Sequence, residues 1–254
     1  MDYIGIDIGS TATKVVVRGG HLLRFVLPTG WDCREAAHIA QVRLAAAGIR
    51  VGDRMSAVVA TGYGREAVDY ADRRVTEISC HAAGASEEAP DAIVLDIGGQ
   101  DTKAILLKNG SVADFLMNDK CAAGTGKFVE IMAARLGCGI DGLFEMAERG
   151  MPLPISSTCT VFAETEVINY IGTGKPREDI AAGVVDSVAS KAAALAAKLP
   201  AAETVLLTGG LSHLAYFANR LGEKLGRPVR PVSDGRFAGA TGAALLAEKM
   251  VRKG

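Results

Sequence analysis

Two cysteines stand where a thiol could do chemistry. Cys121 opens the stretch CAAGTGKF, and Cys159 sits in ISSTCTVFAETEV. Each precedes apolar residues at near-helical spacing. Phe128, Ile131, Met132 and Leu136 follow the first, with Gly137 ending the run; Phe162, Val167, Ile168 and Ile171 follow the second, ending near Gly172. The pattern predicts two helices with a cysteine at or near each N-terminus. Free N–H groups and the positive end of the helix dipole favour negative charge there, by roughly 0.3–1 kcal/mol when exposed and about 2 kcal/mol when partly buried. A thiolate so placed is a good metal ligand. A [4Fe–4S] cubane needs four thiolates. One chain offers two in matching positions, and a two-fold dimer with both pairs on its axis would supply four. From the residues alone, the alternative is that both are small core residues, as most free cysteines are.

The same stretch resembles a damaged phosphate loop. A Walker A loop reads G-x-x-x-x-G-K-[ST]; Gly126 and Lys127 match it, but Cys121 replaces the first glycine and Phe128 the magnesium-binding hydroxyl. Phosphate chemistry is carried better by a repeat. DIGSTATK at residues 7–14 recurs as DIGGQDTK at residues 96–103, each between apolar runs that read as the two strands of a β-hairpin. A repeat this long suggests duplicated domains. In the turns, Gly9, Gly98 and Gly99 let backbone N–H groups approach a phosphate closely. Ser10, Thr11, Thr13, Gln100 and Asp101 add polar side chains, and Lys14 adds a cation. Asp7 and Asp96, at the strand ends, can hold Mg²⁺ through water, since Mg²⁺ keeps much of its hydration. For hydrolysis, which needs mainly positioning and charge stabilisation, Gln100 is the candidate for orienting water. A plain polar hairpin with glycine at φ > 0 is the other reading of each turn.

These sites need elements to hold them. TVLLTGGLS at residues 204–212 reads as a buried strand ending in Gly209, Gly210 and Leu211, suited to close approach by a nucleotide. Gly239, Ala240, Gly242 and Ala243 open a final helix; such small residues fit either a nucleotide or helix–helix contact. AVVATGYGREAV gives a strand and a helix start, residues 177–199 a long alanine-rich helix stopped before Pro200, and RPVRPV a short strand whose prolines suit a sheet edge. Residues 1–80 are expected to form a first lobe, with the helix at 238–254 packing back on it, and residues 91–235 a second lobe carrying Cys121 and Cys159. Residues 79–90 read as the link. Cys80 and His81 read as strand neighbours pointing to opposite faces, with Cys80 buried.

Composition bounds the rest. The 254 residues are 49% hydrophobic and 22% charged with a net charge of −1, so no basic face for nucleic acid or an anionic membrane is expected. There is no basic-then-apolar leader and no run of about 20 apolar residues, which points to a cytoplasmic protein. Five cysteines without a C-x-x-C pair give neither a zinc ribbon nor a single-chain cluster motif; Cys33 and Cys138 read as structural.

Two phosphate hairpins followed by a Gly-Gly adenosine turn resemble the superfamily of actin, heat-shock chaperone ATPases and sugar kinases. The resemblance implies an α/β fold of two ribonuclease-H-like lobes clamping ATP or ADP with Mg²⁺. Within it, FLMNDKCAAGTGKF, ISSTCTVFAETEV, TGYGREAV, EISCHAAGA and LDIGGQDTKAI resemble the ATP-dependent activators of 2-hydroxyacyl-CoA dehydratases over nearly the whole chain. Related ATPase subunits serve benzoyl-CoA reductases, and others activate double-cubane-cluster proteins. The resemblance implies a homodimer with one oxygen-sensitive [4Fe–4S] cluster held by Cys121 and Cys159 of each subunit. It further implies ATP hydrolysis that drives a low-potential electron into a partner Fe–S dehydratase or reductase, and a ferredoxin or flavodoxin donor. Gly124, Thr125, Gly126 and Lys127 would then line the ATP cleft beside the cluster. A small-molecule kinase or an actin-like filament protein on the same fold would leave the cysteine motifs unexplained.

Overall fold

The computed structural model describes residues 1–156 and 159–253. The chain builds two five-stranded mixed sheets in succession. The first holds β1 (Asp2–Ile8), β2 (Ala12–Gly19), β3 (Leu23–Pro28), β4 (Ser56–Thr61) and β5 (Arg73–Arg74), with α1 (Cys33–Ala46) between β3 and β4. Then come α2 (Glu77–Ser86) and the second sheet's β6 (Ala92–Ile97), β7 (Thr102–Lys108) and β8 (Ser111–Asn118). Four helices follow: α3 (Gly126–Arg135), α4 (Ile140–Ala147), α5 (Thr160–Gly172) and α6 (Arg177–Ala196). β9 (Val205–Gly209), α7 (Ala215–Leu225), β10 (Val229–Pro231) and α8 (Ala238–Lys253) complete the chain.

The duplication read from the sequence is a duplication of topology. The strand orders are β3-β2-β1-β4-β5 and β10-β9-β6-β7-β8, the same order in each half. Three strands run as an antiparallel meander, and the fourth joins the first in parallel. Register is duplicated too. Asp7 faces Lys14 and Asp96 faces Lys103 across the hairpins, while Asp7 faces Thr61 and Asp96 faces Thr208 across the parallel pairs. β1, β4, β6 and β9 are buried along most of their length, as expected where helices cover both faces of a sheet. β10 is an edge strand, where Pro231 costs no ladder bond to a further neighbour.

The second half carries the larger core. α6 buries Ile180, Val184, Val185 and Val188 with a run of alanines against the sheet, and Phe128 and Met132 of α3 are fully buried there. Phe144 and Phe217 meet edge to face at 5.8 Å, joining α4 to α7. Each such large apolar side chain contributes about 1.5–3 kcal/mol on burial.

Cys80 and His81 do not lie on a strand, which corrects the sequence reading. Thr76 caps α2, accepting from the Ser79 N–H at 3.3 Å, and the run ISCHAAGAS continues as helix. Cys80 and His81 are therefore successive helical residues, both buried. The propensity of this alanine-rich run, with a proper cap, outweighs its apolar look as a strand. α2 crosses α8 so closely that a Cβ on Gly84 or Gly242 would overlap the facing carbonyl of Ala238 or Cys80. Ala240 packs its carbonyl over Gly5 of β1, so the final helix does lie against the first sheet. Residue 254 of that expected helix, and residues 157 and 158 of the second cysteine motif, lie outside the described residues. After β4, AVVATGYGREAV continues as a single 3-10 turn at Arg65–Ala67.

Candidate functional site

The two hairpins meet tip to tip across a cleft of about 460 Å³ between the sheets. Its walls include Asp7, Gly9, Ser10, Thr11 and Lys14 from the first repeat and Asp96, Gly98, Gly99, Gln100, Asp101 and Lys103 from the second. Lys14 Nζ lies 3.4 Å from Asp7 Oδ2, and Lys103 Nζ lies 3.4 Å from Asp96 Oδ2. Each turn closes identically: the Gly9 N–H donates to the Ala12 carbonyl at 3.1 Å, and the Gly98 N–H to the Asp101 carbonyl at 2.9 Å. Neither Gly9, Gly98 nor Gly99 has positive φ. These glycines are required by close approach: a Cβ on Gly99 would run into Thr11 Oγ1 of the opposing tip.

Positive φ is used one strand away. Gly62 after β4 and Gly209 at the end of β9 have φ +92° and +89°, and a Cβ on either would strike the carbonyl of Ile8 or Ile97. The pairs Thr61-Gly62 and Thr208-Gly209 are thus equivalent members of the repeat. The shared TG dipeptide at residues 61–62 and 208–209 was the signal for this in the sequence.

The equivalence breaks at α2. His81 Nδ1 lies 3.3 Å from Asp96 Oδ1, which also accepts from Thr208 Oγ1 at 3.0 Å. Glu77 reaches Lys103 at 2.8 Å, and Asp101 reaches it at 2.7 Å. Burial works to raise the Asp96 pKa, but His81, Lys103 and the Thr208 hydroxyl together lower it. Burial works against the charge of Lys103, yet Asp96, Glu77 and Asp101 hold its pKa above the ordinary lysine value. In the first half, Asp7 has its ion pair with Lys14, whose side chain is partly exposed. Lys103, His81 and Glu77 were not singled out for the site from sequence. Lys103 was visible as the counterpart of Lys14; the other two depend on α2 being a helix.

The cleft continues past Gly209, Gly210 and Leu211 to a rim of Ile140, Asp141, His213 and Arg236. Asp141 and His213 lie 3.3 Å apart there. Gly126 and Glu130 of α3 also line it. Gly124, Thr125 and Lys127 do not. Thr102 Oγ1 donates to the Gly124 carbonyl at 2.7 Å, Thr125 is fully buried, and Lys127 turns outward to Glu130 at 3.1 Å. Thr13 is buried against Thr29, Oγ1 to Oγ1 at 2.9 Å. Ala240 is a packing residue. Gly239 is buried at the cleft floor, where an added Cβ would lie 2.9 Å from His81 Nε2 and 3.1 Å from Asp7 Oδ2.

The first two amides of α3 are spent on the second hairpin. The Gly126 N–H donates to the Gly98 carbonyl and the Lys127 N–H to the Gly99 carbonyl, each at 2.8 Å. Upstream of them runs the loop that carries Cys121, fixed by Asn118 Nδ2 donating to the Cys121 carbonyl at 3.0 Å. Cys121 therefore stands several residues before α3, whose cap is Thr125, and not at the helix end itself. Cys159 is the N-cap residue of α5 and is exposed. The two cysteines share a neighbour: the charge of Lys191 feels both Cys121 and Cys159, and its Nζ lies 5.1 Å over the Phe128 ring. Beside Cys159, Thr160 Oγ1 is buried with no hydrogen-bond partner among the described residues, and Val161 and Phe162 are exposed. Among the described residues no three His, Cys, Asp or Glu side chains cluster as a metal site. No described helix is long and apolar enough to cross a membrane.

Known proteins share this arrangement. The (R)-2-hydroxyglutaryl-CoA dehydratase activating ATPase of Acidaminococcus fermentans is 40% identical over 256 residues, covering 98% of each chain. The crystal structure of component A of that dehydratase superposes with a TM-score of 0.92 over 99% of both chains at 38% identity. The activator of the 2-hydroxyisocaproyl-CoA dehydratase from Clostridium difficile, solved with bound ADPNP, gives a TM-score of 0.92 at 33% identity, covering 100% of this chain and 96% of that one. The ethanolamine utilization protein EutJ from Carboxydothermus hydrogenoformans shares the fold alone, with a TM-score of 0.65 at 16% identity over 96% of this chain and 90% of that one. The duplicated lobes and their cleft are those of the actin, chaperone and sugar-kinase fold. The profile of the BadF/BadG/BcrA/BcrD ATPase family matches residues 4–247, and with relatives this similar over their full length the chain belongs to that family.

Proposed function

We propose that this protein is an ATP-hydrolysing reductive activator. It acts as a homodimer, with residues 1–80 and 238–254 as one lobe and 91–235 as the other. It delivers a low-potential electron to a partner Fe–S enzyme, a 2-hydroxyacyl-CoA dehydratase or a related acyl-CoA reductase, and is recharged by a ferredoxin or flavodoxin. The observation that carries this reading is the backbone link between the two candidate sites. The carbonyls of Gly98 and Gly99, at the tip of the second phosphate hairpin, hold the first amides of α3, and the loop leading into α3 bears Cys121. A change at the γ-phosphate end of the cleft is thereby felt at the cysteine.

In this reading Asp7 and Asp96 hold the hydrated Mg²⁺ that neutralises phosphate charge. Lys14, Ser10 and Thr11 meet the phosphates from one lobe and the second hairpin from the other. Gln100, exposed at the tip, orients water, and Gly209, Gly210 and Leu211 receive the nucleoside. Cys121 and Cys159 of each subunit hold the bridging [4Fe–4S] cluster, which supplies one-electron chemistry at low potential. The residues present suit that group. Two thiols lie near one lysine, the buried Thr160 hydroxyl has no partner among the described residues and is available to a sulfur, and the exposed apolar start of α5 fits a subunit contact.

The test is anaerobic purification with iron and sulfide analysis. A brown dimer with about four irons is expected, lost in Cys121→Ser or Cys159→Ser and kept in Cys33→Ser or Cys138→Ser. Iron equal to a full cubane per monomer, or a cluster that survives Cys159→Ser but not Cys138→Ser, would refute the assignment.

A further inference from the structure

We propose that His81 is a positioning residue of the nucleotide cleft, one that fixes Asp96 and keeps the two repeat carboxylates apart at a set distance. The inference rests on the cleft being the ATPase site. His81 is buried at the cleft floor, on the helix between the sheets. His81 Nδ1 lies 3.5 Å from Thr208 Oγ1, and because that hydroxyl gives its own hydrogen to Asp96 Oδ1, Nδ1 is the donor to Thr208. The same Nδ1 faces Asp96 Oδ1 at 3.3 Å, and Lys103 faces the other oxygen. The Cβ position of Gly239 lies 2.9 Å from His81 Nε2 and 3.1 Å from Asp7 Oδ2, which places Nε2 within about 6 Å of that carboxylate. The imidazole thus neighbours both repeat carboxylates.

The repeat supplies its own control. The residue before His81 on α2 is Cys80, whose thiol lies beside Thr61, the first-lobe counterpart of Thr208. Packing α2 against a sheet end is therefore met by a small thiol on one side. The second side carries an imidazole that bonds Thr208 and faces the carboxylate at 3.3 Å, contacts the first side lacks. Fold alone does not ask for that difference. In phosphoryl transfer, where positioning is most of the catalysis, a carboxylate displaced by about 1 Å costs on the order of 100-fold.

The experiment compares His81→Asn, His81→Gln and His81→Leu in the full-length dimer, with Asp7→Asn as the control for the cleft. An asparagine amide can place an N–H near the Nδ1 position, whereas a glutamine reaches the Nε2 edge and leaves the Thr208–Asp96 pair without that donor. ATP hydrolysis is measured with kcat and KM separated, and ADP affinity by calorimetry. The expected result is kcat within about threefold of wild type for His81→Asn, and lowered ~10- to 100-fold for His81→Gln and His81→Leu, with ADP affinity changed less than about threefold in all three. Equal kcat in the Asn and Gln variants, at any level, overturns the inference while Asp7→Asn remains inactive. Should Asp7→Asn hydrolyse ATP like wild type, the cleft itself is not the ATPase site and both readings fall. If His81→Leu does not fold, the Asn–Gln contrast decides alone.

Discussion

Asp7 and Asp96 occupy the same place in the repeat, yet their neutralisation should have different consequences for stability. Asp96 is 2% exposed and contacts Lys103, His81 and Thr208, while Lys103 is itself 2% exposed. Breaking a buried ion pair from one side costs about 3–5 kcal/mol, because the remaining charge stays buried. In Asp96→Asn, Lys103 keeps Glu77 and Asp101, so the lower end applies, about 3 kcal/mol. For a chain of this size each kcal/mol moves Tm by about 2–4 °C, so a fall of roughly 6–12 °C is expected. Asp7 is also buried, at 4% exposed, but the lysine it would leave behind is 20% exposed and reaches water. Asp7→Asn therefore strands no buried charge and should cost about 1 kcal/mol, a shift of no more than about 4 °C. Both variants should lose ATPase activity, by ~100- to 1000-fold if each carboxylate serves the developing phosphate charge.

The assay is thermal unfolding without nucleotide or added divalent cation, run from pH 7 down to pH 3. The folded-state pKa of Asp96 is lowered. Its stabilisation is therefore present above the unfolded carboxylate value of about 3.9 and is lost as pH falls through the lower folded value. The Tm gap between wild type and Asp96→Asn should be full at pH 7 and close below about pH 4. Equal Tm losses for the two variants, or a gap that does not change with pH, would refute the asymmetry.

Two further outcomes follow from local geometry. Gly209→Ala should destabilise by about 3 kcal/mol or more in denaturant titration, since φ is +89° and the new Cβ overlaps the Ile97 backbone, whereas Gly226→Ala, at φ +64° in open space, should cost only about 1–2 kcal/mol. Comparable losses would mean the strand end gives way. Cys80, whose thiol burial pushes up to about 12, should resist iodoacetamide in the folded apoprotein at pH 8, while the exposed Cys159 is labelled; peptide mapping that finds the reverse order would contradict the placement of α2.

The sequence made the hairpins legible because their chemistry is local. Asp, Gly, Thr and Lys recur at fixed spacing, and a two-strand register follows from a turn. The parallel partners were half legible. β9 was read from its apolar run, but the matching of Thr61-Gly62 with Thr208-Gly209 spans two residues and shows itself only when each threonine is seen facing an aspartate. α2 was misread because small residues with one isoleucine carry little periodicity, and that error hid His81 and Glu77. The spacing of Phe128, Ile131, Met132 and Leu136 makes α3 legible, with Cys121 near its start. How far before the cap Cys121 stands is not legible, because the helix start is set by where an acceptor exists for its first amides. That acceptor is a carbonyl of a distant hairpin, which no pattern around Cys121 encodes.

The two halves also differ in what their hairpin tips are tied to, and this bears on how one site could report to the other. The first tip is tied within its own sheet: Thr29, just beyond β3, donates its hydroxyl to the Gly9 carbonyl at 2.7 Å and its N–H to the Thr11 carbonyl at 3.1 Å. Among the described residues the second tip has no such strap and instead gives its Gly98 and Gly99 carbonyls to α3. Thr102 and Asn118, which face each other across β7 and β8, then hold the loop between that sheet and α3 at Gly124 and Cys121. The Cys121 loop is thus held to the second sheet by two side-chain donors, Asn118 Nδ2 on the Cys121 carbonyl and Thr102 Oγ1 on the Gly124 carbonyl. A nucleotide bridging the two tips would touch, on one side, a hairpin tied within its own sheet and, on the other, a tip joined to the cysteine loop. Duplication gave the cleft two like walls, and the divergence of what lies behind them connects one wall, and not its counterpart, to the loop of Cys121.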